Sequence, residues 1–338
     1  MFVFLLRRAA SSVVVMLVLT VVVFVLARVI PSNPAVVYLG PKANPEAIAR
    51  VTHELGLNKP LYVQYFSYLV GLFRGQWGDS LATKRPVLEE IATRLPATLE
   101  LIFAAMLIAI VVGVALGVLA VRRPGKLLDG IIRFLSIGGV SLPAFWLGLL
   151  LQLLFVGQLH LFPVTGEFST ALKFIDPITP VTHFPLFDSL ITGNWYAYAD
   201  GLQHIVLPAV TLAAYPLGLI ARMTRASMLE VLGQDYIFTA KAYGLSRLMV
   251  QWRLALKNSL PPTLTVFGLA VAYALTGTFF VEVVFDWPGI GQFATSSMLA
   301  VDYPAIMAIA LLGAAGYLIS NFVVDLVQAR IDPRRRLA

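Results

Sequence analysis

The stretch Leu101–Val121, LIFAAMLIAIVVGVALGVLAV, runs from Glu100 to Arg122 without one ionisable side chain. Crossing the hydrocarbon core of a bilayer takes about 20 apolar residues in a helix, because backbone polar groups there must be satisfied within the segment itself. This run meets that length. It predicts a membrane-spanning helix, and the rest of the chain repeats the pattern.

Ala9–Ala27 lies between Arg8 and Arg28, and a third run starts after Arg133 and stays apolar to Gly157. Ile205–Ala221 is shorter and carries Pro208 and Pro216, so a kinked helix is expected; Asn258–Val281 and Tyr303–Val324 complete six spans. The first run is too long for the 7–15 apolar residues of a signal peptide, and it reads as a retained span. Composition agrees: of 338 residues, 59% are hydrophobic and 13% charged, against about 25% charged in soluble domains.

Six spans put both termini on one side. If that side is the cytoplasm, internal segments hold Arg7, Arg8, Arg122, Arg123, Lys126, Arg222, Arg225, Lys241, Arg247, Arg253, Lys257 and the basic tail Arg330, Arg334, Arg335 and Arg336, whereas the two short external loops hold only Lys173. The long external loop, about Val29–Pro96, holds more, but cytoplasmic loops collect Lys and Arg while long loops translocate largely regardless of charge. The bias sets the orientation and accounts for the net charge of +7 without any nucleic acid.

The expected organisation is a first transmembrane helix (1–30), an extracytoplasmic region (31–96), a transmembrane core (97–328) and a basic cytoplasmic tail (329–338). Turn formers Pro31, Pro34, Gly40, Pro41 and Pro45 and an amphipathic stretch near Glu46–Leu55 mark the outer region. The core carries an external loop at 159–203 and an internal loop at 222–257. Within the latter, Ala226–Tyr243 reads as one helix, Gly244 as its left-handed terminator, and a second helix starts near Ser246. Ile237, Leu245, Met249, Val250 and Trp252 place apolar side chains on a loop that lipid does not cover, and such patches mark partner sites.

Several chemistries are excluded by inspection. No G-x-x-x-x-G-K-[ST] phosphate loop occurs, His53-Glu54 has no second His at zinc-peptidase spacing, and no G-x-S-x-G elbow is present. The absence of cysteine removes disulfides and thiolate metal sites. His53, His160, His183 and His204 are scattered and read as ordinary loop residues. Glu100, Glu282 and Asp325 sit at span ends, where snorkelling or capping explains them, so the buried carboxylate of an ion-coupled carrier is not evident. Gly113-x-x-x-Gly117 predicts close helix packing.

Residues 235–245, DYIFTAKAYGL, resemble the coupling motif of binding-protein-dependent ABC importers in the form found in the dipeptide/oligopeptide/nickel permease family. Phe238-Thr239-Ala240 stands where the general motif has Glu-Ala-Ala, and Lys257 where it ends in Pro; both departures are shared with the peptide branch. Arg253–Pro262, Leu55–Pro60 with Val63-Gln64-Tyr65, Gly78-Asp79-Ser80, Arg94–Glu100, Phe285–Gly291 with Asp302-Tyr303-Pro304, and Asn321–Asp325 with Asp332-Pro333-Arg334 are similar to that family in the expected order. The long first external loop is similar to the B-type subunit.

The resemblance implies an all-α membrane protein: a type I ABC importer transmembrane domain with a cytoplasmic coupling helix, multi-pass in the bacterial cytoplasmic membrane. It implies a second, homologous permease, two ATPase subunits or one fused ATPase, and an extracytoplasmic substrate-binding protein. ATP and Mg would be bound by the ATPases, and this chain would carry neither cofactor nor catalytic residue. The coupling helix is expected over Ala226–Gly244. Asp235 and Lys241 would make polar rim contacts, and Ile237, Thr239, Ala240 and Ala242 close-packed surface. Tyr236 and Leu245 belong to the same contact set, and Gly244 would turn the chain. Peptide is the expected cargo; nickel, haem or another small solute, or an ion-coupled secondary transporter, are the alternatives.

Overall fold

The computed structural model describes residues 2–29, 36, 39, 44–54 and 56–331. Pro31, Pro34, Gly40, Pro41, Leu55 and the tail from Asp332 onward lie outside the described residues. Among those described no strand forms beyond an isolated bridge between Asp79 and Pro86. The chain divides into two compact units.

The first unit comprises residues 1–95 and 290–318. It contains α1 (Phe2–Val29), α2 (Pro45–Glu54), α3 (Leu61–Phe73), the opening of α4 (Val87–Ala120), α13 (Ile290–Leu299) and the opening of α14 (Tyr303–Ile331). The amphipathic stretch predicted near Glu46–Leu55 is α2. α1 meets α3 through aromatic edges: Phe24 packs at 5.4 Å against Tyr65, and the Thr20 and Tyr65 hydroxyls hydrogen-bond at 2.8 Å. A buried cluster of Val87, Ile91, Ile290, Phe293, Ala305 and Ala308 forms the other half.

At its edge the buried Asp302 carboxylate accepts from the Ser80 hydroxyl, from Ala82 N at 3.2 Å and from Ala305 N at 3.3 Å. One side chain thus caps α14 and fastens the turn before α4. The motifs Gly78-Asp79-Ser80 and Asp302-Tyr303-Pro304, far apart in sequence, are two sides of a single joint.

The second unit comprises residues 96–289 and 319–338. After the rest of α4 come α5 (Leu127–Ser141), α6 (Ala144–Leu151) with a π-helical turn over Gln152–Gln158, α7 (Leu172–Ile175), α8 (Pro185–Ile191) and α9 (Trp195–Leu232). Then follow α10 (Asp235–Ala242), α11 (Arg247–Met249) with a second π turn over Val250–Ala255, and α12 (Leu256–Phe285). α9 is the hub and packs against α5, α6, α8 and α12. Its start is fixed by the Asn194 carboxamide, which accepts from Ala197 N at 2.9 Å.

The Gly113-x-x-x-Gly117 expectation holds: a Cβ at Gly113 would stand 2.9 Å from Ile220 Cγ2, and one at Gly117 would stand 2.9 Å from the Ala221 carbonyl oxygen. Two absent side chains let α4 and α9 approach backbone to backbone.

Among the described residues four helices are long and apolar enough to cross a membrane, or up to six if each of two bent pairs counts as one span. The third predicted run is one such pair: α5 and α6 meet at 114°. Leu142 is extended, with ψ 132, as expected of the residue before a proline, and Pro143 starts the next helix. Hydropathy does not change across that bend, so the run looks continuous in sequence. The fourth run is also corrected, because α9 continues through Pro208 and Pro216 for 38 residues instead of stopping at Ile205 and Ala221.

Two single-residue expectations change as well. His204 is buried within α9, its Nδ1 lying 2.8 Å from the Asp200 carbonyl oxygen, and is no loop residue. Glu282 does not snorkel: it is fully buried and accepts from the Thr98 hydroxyl at 2.7 Å. Glu100 takes the capping role expected of it, on α8, accepting from Phe187 N at 3.0 Å.

Candidate functional site

Loop 222–257 is built on a buried apolar cluster. Val118 of α4 and Val121 in the turn just after it, Met228 from α9, and Val250 and Ala255 from the second π turn surround Ile237 of α10, which has 0% exposure. An eight-residue helix is too short to persist alone in water; its stability comes from this seat.

The helix predicted over Ala226–Tyr243 is in fact two. α9 ends at Leu232, Gly233 caps it, Gln234 is extended with ψ 149, and α10 begins at Asp235. Gly233 was the visible signal for that break. Asp235 at the first turn and Lys241 in the last both suit the helix dipole.

The C-terminus has the hydrogen bonding of a Schellman motif: Leu245 N donates to Ala240 O at 3.2 Å and Gly244 N to Lys241 O at 3.0 Å. Gly244 has φ +78, the left-handed turn expected of it. Ser246 then caps α11 by accepting from Met249 N at 3.3 Å.

The predicted contact residues divide by face. Ile237 points inward and leaves the surface set, as does Val250, and Leu245 packs against the same cluster. Burial of Ile237 follows from residues of α4 that the loop's own sequence does not reveal. Asp235, Thr239, Lys241 and Ala242 are exposed, and Ala240 is half-buried. Tyr236 is exposed, its hydroxyl accepting from Asn258 Nδ2 at 2.8 Å. Phe238 lies outward with Lys241 Nζ 5.2 Å from its ring centre. Tyr243, Leu248 and Trp252 add exposed apolar surface, and Met249 remains exposed as expected.

One contributor escapes the sequence reading. Asp129 in the first turn of α5 is buried and pairs bidentately with Arg225 of α9, with Nε to Oδ1 at 2.6 Å and Nη2 to Oδ2 at 2.8 Å. Gly125 N adds a third hydrogen bond at 2.9 Å. The pair clasps α5 to α9 three residues before Met228. Its signal was available, since Asp129 is the one acidic residue between Glu100 and Glu167.

At the other loop, residues 159–203, order is maintained by carboxylates. Asp200 accepts from Ser169 N at 2.7 Å. Asp188 accepts from the backbone of Val181, Thr182 and His183 at 3.0, 2.8 and 3.1 Å. Burial works against the Asp188 charge, but these bonds and the Thr182 hydroxyl together hold its carboxyl below the usual aspartate value. Phe174, Ile175, Trp195 and Tyr196 stand exposed around this framework.

Comparison with known proteins agrees with this architecture. Residues 109–337 match the family described as binding-protein-dependent transport system inner membrane component, and residues 1–102 match the N-terminal membrane component of such systems. The chain is 43% identical to the probable D,D-dipeptide transport system permease protein DdpB of Escherichia coli, over 93% of this chain and 92% of that one. It is 41% identical to the di/tripeptide transport system permease protein DppB of Pseudomonas aeruginosa, over 98% of each. With the glutathione transport system permease protein GsiC of Salmonella choleraesuis it shares 34% identity, again over 98% of each. The chain therefore belongs to the binding-protein-dependent transport system inner membrane components, as a multi-pass permease subunit of a type I ABC importer that works with ATPase and substrate-binding partners.

Proposed function

We propose that this permease forms half of the path by which di- and oligopeptides enter the cell, paired with a second, homologous permease. Both termini lie in the cytoplasm, where the Lys- and Arg-rich segments would face inward. The observation that carries the mechanism is the seat of α10. Its inner face is locked to α4, α9 and the start of α12 through Ile237, while Tyr236, Phe238, Thr239, Lys241 and Ala242 face outward.

A partner gripping the outer face moves α10, and close-packed side chains transmit that displacement to three helix ends at once. ATP and Mg sit in the ATPases, whose closure supplies the motion, and this chain is the gate. Loop 159–203 is the surface that receives the binding protein, its exposed aromatics supported by Asp188 and Asp200. Peptide cargo rests on the relatives' dipeptide, tripeptide and glutathione permeases.

The test is purification of the tagged chain from its native membrane in mild detergent, with identification of co-extracted subunits and an ATPase assay. Recovery of a related permease and an ATPase, with hydrolysis stimulated by a peptide-loaded binding protein, is the expected result. Recovery of the chain alone after crosslinking, with uptake into vesicles driven by an ion gradient, would replace this reading with a solitary carrier.

A further inference from the structure

Beside the α10 loop, Arg122, Arg123 and Lys126 from the turn between α4 and α5 line an open cavity of about 580 Å³ together with Arg247 of α11. Among the described residues no carboxylate lines it. The nearby acid, Asp129, is already committed to Arg225. Like charges gathered around one space repel within the screening length of about 8 Å at physiological salt, and an anion relieves that repulsion.

The rim of the cavity is apolar. Leu127 and Leu128 line it and are 80% and 44% exposed. Ile131, Phe134 and Leu135, also exposed, continue from them at helical spacing along one face of α5. A cationic bowl therefore opens onto an apolar stripe at the end of a membrane helix. An inorganic phosphate or a nucleotide would satisfy the cations and leave the stripe uncovered, and an acidic protein segment would do the same. An amphiphile with an anionic head satisfies both, and basic pockets at the ends of membrane helices suit such headgroups.

We propose that this cavity holds the phosphate headgroup of an anionic phospholipid, whose acyl chains lie along the Leu127–Leu135 face of α5. The headgroup joins the α4–α5 turn to α11, so its occupancy braces the loop that carries α10. The site does not depend on which solute is carried.

The experiment places the full-length chain, with its co-extracted subunits, in nanodiscs of phosphatidylcholine containing a trace of photoreactive phosphatidylglycerol, and maps the crosslinks. Labelling is expected at 122–128 and 247–251. It should fall about fivefold for each cation removed, so about 25-fold in the double variant Arg123→Gln/Arg247→Gln. Those side chains are exposed, so the fold should tolerate the change. Arg253→Gln, which removes an exposed charge from the same loop outside the cavity, should leave labelling within about twofold, because the attraction of a cation for a headgroup falls off within a Debye length. An equal loss in Arg253→Gln would overturn the site in favour of general attraction to the membrane surface. Displacement of the probe by millimolar glycerol phosphate would show a free-phosphate site, and labelling of a co-extracted subunit in place of these segments would show a protein interface; either result sinks the proposal.

Discussion

Asp129 and Gly244 show how single residues shape the permease by different physics. Asp129 with Arg225 is a buried ion pair, and removing one partner strands the other charge. Asp129→Ala should destabilise the chain by about 3 kcal/mol, the lower end of the usual range, because the Arg225 side chain retains 22% exposure. Thermal melting in detergent checks this. The double variant Asp129→Leu/Arg225→Met should recover most of the loss, since apolar replacement of a whole pair is commonly neutral. Gly244 acts through its backbone. A Cβ there would meet nothing within 4 Å, so the cost of Gly244→Val comes from φ +78 alone, about 1 kcal/mol or more. Slower uptake with near-normal assembly is the expected result. Normal uptake would mean that the angle of this turn does not matter to coupling.

At the level of elements, what the sequence disclosed depended on how local the cause was. The apolar part of α4 was legible because hydropathy and length belong to the segment itself, whereas its opening from Val87 through Pro96 was not. The left-handed turn at Gly244 and the cap at Ser246 were legible for the same reason. The 114° bend between α5 and α6 was not, although Pro143 was in plain view, because the residues on both sides of it are equally apolar. Burial of Ile237 was not legible either, since Val118 and Val121 are contributed by α4 and the turn just after it, more than a hundred residues earlier. Loop 159–203 adds a pH-dependent element. Asp188 has a depressed carboxyl pKa, so its stabilising charge is fully present above the ordinary aspartate value of about 3.9 and is lost as pH falls through the lower folded value. Protection of the Val181, Thr182 and His183 amides from exchange, taken relative to the intrinsic rate at each pH, should hold from pH 7 to about pH 4 and fall below it. Asp188→Ala should remove that protection throughout.

For the whole molecule, the lack of native cysteine makes orientation directly measurable. Thr239→Cys and Phe174→Cys, both at exposed positions, should react with a membrane-impermeant maleimide from opposite sides, Phe174→Cys from outside intact cells. Labelling of Thr239→Cys in place of Phe174→Cys from outside intact cells would reverse the positive-inside assignment. The composition of the first unit has a further consequence for biosynthesis. Asp302 secures Ser80, and Phe293 packs with Val87 and Ile91. A ribosome adding about 5–20 residues per second therefore takes roughly 10–45 s to deliver Asp302 after Ser80. Throughout that interval the early helices are in the membrane without their closing partner, so a nascent chain stalled before Ile290 would leave its own beginning unfinished and open to quality-control proteases.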